Sequence, residues 1–444
     1  MAKDGKNRAE KTISWFYIDT YFGSIKQGIY SDFLIPFALF LGATSEYIAI
    51  VSAAPKLIGS FIQLFSSDLL NIIKTRKRVI IFSSLIDALT WFLIMFIPFF
   101  FPGNYILFLN LLVLQAIAMY MLNPFFNSLL GDVVPQKDRP LVIGKINKIT
   151  AVVSFISSLF AGFLLNVFGK DGSYMGFVLV FALATISRLF STFSKLYYYE
   201  PKFDDGIERT SVVNFAKGMR YHNFGRFVMY SSSVSFATGM SGPFYVVYML
   251  NVLNFDFFTY SLINGAVIIS SFLILDKWGR RISNHGSRNI LSVTAFLIAT
   301  TPIIWIFIKD PKVLFFVQLY SGIIWSGHNL SKANFVLDAT TSKNRLAMSS
   351  YYHFFEGLFT FLGAMTGGYL MQHLPAEFLG SKFLFIFGFS ALLRLIFAAY
   401  FIPGIAEERF IDVGVKGPKA KIIVSITPRQ GVLYNIVPRK FRGK

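Results

Sequence analysis

The 444-residue chain is 54% hydrophobic and 15% charged, with 52 phenylalanines, a balance too apolar for a soluble globular protein. It has no cysteine, which excludes disulfides, thiolate metal sites and cysteine nucleophiles. The formal net charge of +19 would suit nucleic acid, but its distribution along the chain assigns it elsewhere.

Twelve apolar segments, each about 20 residues or more, are long enough to cross a bilayer. The first six span 15–41, 45–69, 79–101, 105–129, 141–167 and 173–197. The second six span 224–250, 256–275, 289–308, 312–336, 346–372 and 380–402. Segment 1 carries a basic flank (Lys3, Lys6, Arg8, Lys11) like that of a signal peptide. Its apolar stretch is too long and too interrupted for one, and no small-residue cleavage site follows, so it reads as retained.

Lys26, Gln27 and Asp32 interrupt segment 1, and Lys56 sits near the middle of segment 2. From the turn near Ala43, Asp32 lies 11 residues back and Lys56 13 residues forward. Antiparallel helices rising about 1.5 Å per residue place the two within roughly 3 Å in depth, so the spacing predicts a pair. Asp68 and a basic cluster (Lys74, Arg76, Lys77, Arg78) follow segment 2, and Asp87 lies in segment 3. Asp132 and Arg139 flank a short loop after segment 4. Lys145 and Lys148, at the start of segment 5, read as snorkelling residues. The polar stretch Tyr198–Asn223 links the two sets of six.

Tyr245 and Tyr248 in segment 7 read as interfacial aromatics. Asp276-Lys277-Trp278-Gly279-Arg280-Arg281 follows segment 8. His328 and Lys332 are one turn apart in segment 10, and His353 stands three residues before Glu356 in segment 11. Gly363, Gly367 and Gly368 in segment 11 suit close helix packing. In the tail, Lys421–Ile426 and Val432–Val437 alternate about Pro428-Arg429-Gln430-Gly431, the pattern of a small hairpin on a basic extension near acidic headgroups.

Placement of Lys and Arg sets the orientation. With a cytoplasmic N-terminus, 33 of the 42 fall on the cytoplasmic side, five lie within helices, and only Lys170, Lys309, Lys312 and Lys382 lie outside. Both termini are therefore expected in the cytoplasm of a cell-membrane protein, with the basic charge facing anionic lipid and not nucleic acid. The five histidines form no metal box, and no phosphate-cradling loop, HExxH or nucleophile elbow is present. No cofactor, metal or enzymatic activity is expected.

The chain repeats. Asp132, Lys137, Arg139, Gly162 and Arg188 return 206 positions later as Asp338, Lys343, Arg345, Gly368 and Arg394. Phe155, Phe177 and Phe181 match Phe361, Phe383 and Phe387 in the same register, and Pro36 matches Pro243 at an offset of 207. A register held over 57 positions makes the chain two copies of one unit.

The run Asp276 to Arg281 resembles the signature of the major facilitator superfamily, Gly-x-x-x-Asp-Arg/Lys-x-Gly-Arg/Lys-Arg/Lys, in the loop between helices 8 and 9. Its twin at Asp68 keeps the acid and the basic cluster but lacks the Gly-Arg turn, and Leu64 and Phe272 replace the leading Gly. Asp132-x6-Arg139 and Asp338-x6-Arg345 resemble the superfamily's acid-x6-Arg pattern in loops 4–5 and 10–11. The resemblance covers residues 13–402. It implies an all-α fold of twelve transmembrane helices in two pseudo-symmetric six-helix bundles, with a substrate site between them. The expected division is a cytoplasmic tail 1–12, bundles 13–198 and 224–402, a cytoplasmic linker 199–223 and a basic cytoplasmic tail 403–444.

The implied function is secondary transport of a small solute by alternating access, coupled to protons, by a monomer. Asp32, Lys26, Gln27, Lys56, His328, Lys332, His353 and Glu356 are the substrate and coupling candidates. Asp68, Asp132, Arg139, Asp276, Gly279, Arg280, Asp338 and Arg345 are the expected cytoplasmic gate, acids meeting helix starts and arginines meeting acids on neighbouring loops. The basic candidates favour an anionic or zwitterionic solute. The Glu-x-x-Glu-Arg of peptide carriers and the Gly-Pro motif of drug antiporters are absent. Arg188, Arg394 and Asp87, on scaffold helices, read as structural. A second functional reading is a transporter-like sensor or assembly protein acting through its tail.

Overall fold

A computed structural model of the chain describes residues 2–66, 75–135, 138–169, 174–201, 211–340, 344–375, 381–407, 422–427 and 431–436. Among them, twelve long helices follow in chain order. The first six are α1 (Ala2–Phe40), α2 (Ser45–Gln63), α3 (Arg76–Phe100), α4 (Tyr105–Val133), α5 (Arg139–Phe168) and α6 (Met175–Lys195). A short helix, Val212–Gly218, precedes α7 (Asn223–Val247), which continues as one π turn, Tyr248–Val252. Then come α8 (Phe257–His285), α9 (Ser287–Phe307, broken at Ile298 and Ala299), α10 (Pro311–Asp338), α11 (Arg345–His373) and α12 (Lys382–Phe401). Polar side chains cap several starts: Asn104 accepts from Leu107 N, Asp256 from Thr259 N, and Asp310, ahead of Pro311, from Lys312 N. Gly286 turns the chain between α8 and α9 at φ 85°, a left-handed conformation that suits glycine.

The helices form two six-helix bundles with the same packing. In the first, α1 packs on α5 and α6, α2 on α4, and α3 on α4 and α6. In the second, α7 packs on α11 and α12, α8 on α10, and α9 on α10 and α12. Raising each helix number by six converts one pattern into the other. Between bundles, α2 meets α11 and α5 meets α8.

The repeated residues explain themselves in this frame. A Cβ on Gly162 of α5 would come within 2.8 Å of Phe257 O and 2.6 Å of Ser261 Oγ on α8. Its counterpart, Gly368 of α11, would bring one within 3.1 Å of Ala49 on α2. Both glycines let the bundles touch. Arg139 donates to Val134 O (3.1 Å) and Gly131 O, and Arg345 to Thr340 Oγ1 and O (both 3.3 Å). Each arginine thus satisfies groups left over at the end of the preceding helix. Among the described residues, neither arginine binds an acid on a neighbouring loop. Asp132 takes Arg76, at the start of α3, at 2.5 Å, and Asp338 accepts from Ser287 Oγ, at the start of α9, at 3.4 Å. These acids work within their own bundles.

One symmetric pair escaped the sequence reading. Glu200, just after α6, accepts from Arg76 N (2.6 Å) and Lys77 N (3.4 Å). Glu407, just after α12, accepts from Arg288 N (2.7 Å) and Ser287 N (3.2 Å). In each bundle the chain leaving the last helix caps the third helix with a carboxylate, where exposed N–H groups and the helix dipole favour it. The offset of 207 between the two glutamates was the available signal. In the tail, Ile422–Thr427 and Gly431–Ile436 pair antiparallel, with Ile422 opposite Ile436, one residue from the expected hairpin strands.

Candidate substrate cavity between the bundles

A cavity of about 490 Å³ lies between the bundles near mid-depth. It is lined by Ile35 of α1, Ser52 and Lys56 of α2, and Ser235, Thr238 and Gly242 of α7. Trp325, Asn329 and Lys332 of α10 and Glu356 and Thr360 of α11 complete the wall. Seven helices, α3, α4, α5, α6, α8, α9 and α12, carry an 18-residue stretch apolar enough to cross a membrane. The other five long helices are the ones that line the cavity. Some of the polar residues that lower their hydropathy line the cavity, among them Lys56, Lys332 and Glu356.

Three of the eight candidates meet here. Lys332 Nζ lies 2.7 Å from Glu356 Oε1, which also accepts from Ser231 (2.7 Å) and Ser235 (3.4 Å) on α7. Lys56 reaches across from the first bundle and donates to Thr360 Oγ1 at 3.1 Å. Gln27 is exposed two turns before Ile35 on the cavity face of α1, and His353 is exposed one turn before Glu356.

The expected pairing of Asp32 with Lys56 is not formed. Matching depth does not fix rotation about the helix axis. At Gly28, α1 approaches α5 so closely that a Cβ would lie 2.2 Å from Ser154 O. That contact turns Asp32 toward α5, where Ser158 donates to its carboxylate. Tyr260 of α8 donates to the Asp32 main-chain oxygen at 2.7 Å, so Asp32 lies buried on the seam between bundles. No ion pair among the described residues includes it.

Lys26 and His328 also leave the cavity, a second correction. Lys26 turns into the first bundle, where its ammonium lies 3.3 Å from Asp87 and over the rings of Tyr30 and Trp91. Arg188 holds the other Asp87 oxygen at 2.6 Å and Gln115 donates to the carboxylate at 2.9 Å, so Asp87 and Arg188 are a buried structural cluster. His328 is fully buried against Tyr230 and Trp325, with Nδ1 3.3 Å from Thr294 Oγ1 on α9. Tyr245 stacks on Phe387 of α12 and Tyr248 meets Phe383 at a tilt, so both pack with the core of the second bundle.

The bundles close on one side. Asn166, at the end of α5, donates to Asp256 (3.0 Å) and accepts from Phe257 N (3.1 Å) at the start of α8. Partial burial pushes the Asp256 carboxyl up, but the N–H of Thr259 and the amide of Asn166 outweigh it and hold it below the usual carboxylate range. Phe177 and Phe33 add ring contacts to Phe257 and Tyr260. Toward the opposite face, which carries α1's start and α12's end, Phe61 of α2 still meets Phe354 of α11, with ring centroids 6.0 Å apart. Leu141 is 77% exposed and Leu273 69%.

The gate motif is helical, correcting its assignment to a loop: α8 runs through Asp276, Gly279 and Arg280 to His285. Asp276 and Arg280 are exposed there, and Asp276 makes no hydrogen bond or ion pair among the described residues. Trp278 is the anchor. Its indole donates to Ile323 O at 2.8 Å and lies over Gly327 of α10, where a Cβ would come within 2.6 Å of the ring. Gly279 has open space about it. Asp68, Lys137 and Lys343 fall outside the described residues.

Two six-helix bundles of one pattern around a polar cavity are the architecture of a membrane transporter. The sequence matches the model of the Major Facilitator Superfamily over residues 13–331, and the chain belongs to that family. Solved structures agree in fold. The nucleoside transporter NupG superposes with a TM-score of 0.66 at 13% identity, covering 88% of this chain and 98% of its own. A bacterial homologue of the human lysosomal transporter Spinster, inward-facing and occupied, gives 0.63 at 13%, covering 88% and 96%. An auto-inhibited POT family peptide transporter gives 0.69 at 12%, covering 92% and 99%. A search of curated proteins returns no match.

Proposed function

We infer that the protein is a secondary transporter that carries a small anionic or zwitterionic solute across the cell membrane by alternating access. The observation that carries this reading is the polar cavity shared by five helices of both bundles, with α5 and α8 hydrogen-bonded to each other at one end. Residues 13–198 and 224–402 act as the two rocking bodies and 199–223 as their link, with both termini in the cytoplasm. The sealed face is then extracellular and the open face cytoplasmic. When the open face closes, Asp276 meets the start of α5 near Leu141, whose backbone N–H groups receive it.

Protons are the coupling ion in this reading, and Asp32 is their site. Its carboxylate is buried, no ion pair among the described residues includes it, and it lies on the seam that opens and closes. Glu356 is less suited, because Lys332 and two serines already stabilise its charge. In proteoliposomes, Asp32→Asn is expected to abolish accumulation driven by a pH gradient while solute exchange continues. Wild-type accumulation in Asp32→Asn removes Asp32 as the coupling residue.

A further inference from the structure

Three charged side chains line the cavity, and they are unequal. Lys332 and Glu356 form an ion pair at 2.7 Å, and the same Glu356 oxygen, Oε1, accepts from Ser231 and Ser235. Lys56 is different. Its recorded hydrogen bond goes to a neutral hydroxyl, Thr360 Oγ1, and no carboxylate among the described residues lies within ion-pair distance of it. An ammonium has three donors, so two of them remain for a ligand. Subtracting the ion pair leaves the cavity one positive charge, held by Lys56 on the first bundle and facing α11 of the second.

We propose that the substrate is a hydroxylated organic monoanion whose carboxylate is received by Lys56, an inference that rests on the transporter reading above. The charge count selects among solute classes. A cation meets two lysines and one carboxylate whose charge Lys332 already balances. The ammonium of a zwitterion meets the same balance. A dianion brings one negative charge more than the site balances. A monoanion balances the site. Around Lys56 stand the hydroxyls of Ser52, Ser235, Thr238 and Thr360 and the amide of Asn329, groups that pair with hydroxyls on a carbon chain. The cavity of about 490 Å³ falls within the range of small-molecule sites, roughly 300–1,000 Å³. Gly242 keeps part of that space open, since a Cβ there meets nothing within 4 Å. Because Lys56 comes from the first bundle and Ser235, Thr238 and Asn329 from the second, a solute held by both also ties the two bodies together across the cavity.

The test uses the full-length chain in proteoliposomes with four probes of one carbon skeleton: gluconate (monoanion), glucose (neutral), glucosamine (cation) and glucarate (dianion). Gluconate is expected to exchange across the membrane faster than the other three. Lys56→Gln should raise the gluconate concentration for half-maximal flux tenfold or more, and Lys56→Arg should restore most of the loss. Gly242→Leu should abolish flux by filling the cavity with all charges intact, and melting temperatures near wild type exclude misfolding as the cause. Faster movement of glucose or glucosamine, or gluconate flux unchanged in Lys56→Gln, overturns the monoanion seat and leaves the transporter reading standing. If lactate and benzoate also fail to move while a neutral or cationic solute does, the seat is again overturned. If no solute of a broad library moves or shifts the melting temperature, the transporter reading itself fails.

Discussion

Asp87 shows how far single residues could be read in advance. Its place on a scaffold helix marked it as structural, and the structure gives it Arg188 at 2.6 Å and Lys26 at 3.3 Å. Its partners could not be read, because three different helices supply the three charges and sequence spacing carries no information on helix rotation. The same gap misassigned Lys26 to the cavity and paired Asp32 with Lys56, although their depths agreed. Arg394, the repeat partner of Arg188, has no such acid and donates instead to Ile298 O and Ser241 Oγ. Asp87→Asn leaves two buried cations without a charged partner. It is expected to destabilise the protein by about 3–5 kcal/mol, the scale for breaking a buried pair by removing one member. A melting temperature of Asp87→Asn in detergent equal to wild type contradicts this account.

At the scale of elements, helix existence was legible and helix function partly so. All twelve expected spans coincide with a helix, with ends displaced most where polar residues continue it, as in α8 beyond residue 275. The gate motif was placed in a loop because its charges resemble loop composition, yet Trp278 buried against Gly327 keeps the helix going. The polarity of α1, α2, α7, α10 and α11 was visible in the sequence, and it marked the cavity wall. Gly162 and Gly368 carry the crossings between bundles, so a side chain at Gly162 must push α5 from α8. In a Ser52→Cys background, Gly162→Val is expected to raise labelling by an impermeant thiol reagent added on the face of Asn166 and Asp256. The absence of native cysteine makes the signal specific. Labelling that stays at the level of the Ser52→Cys parent removes the glycine crossing from the outer seal.

For the whole molecule, the repeat in the sequence returns as an identical packing pattern in two bundles, and the expected family is matched over residues 13–331. The orientation proposed from the Lys and Arg count has a direct check. A cysteine introduced as Ser283→Cys, at the exposed end of α8, should react with an impermeant reagent only from the cytoplasmic side. Reaction from outside the cell reverses the orientation. The paired glutamates bear on how such a chain comes to be made. Glu200 fastens the start of α3 as soon as the chain has passed α6, when more than half of the protein is still unsynthesised. Glu407 does the same for α9 from within the second half. Each half therefore has its own clasp, and neither waits for the other to complete it. A ribosome delivering this chain releases a finished first body into the bilayer, whose exposed seam on α2 and α5 then serves as the template on which the second body docks.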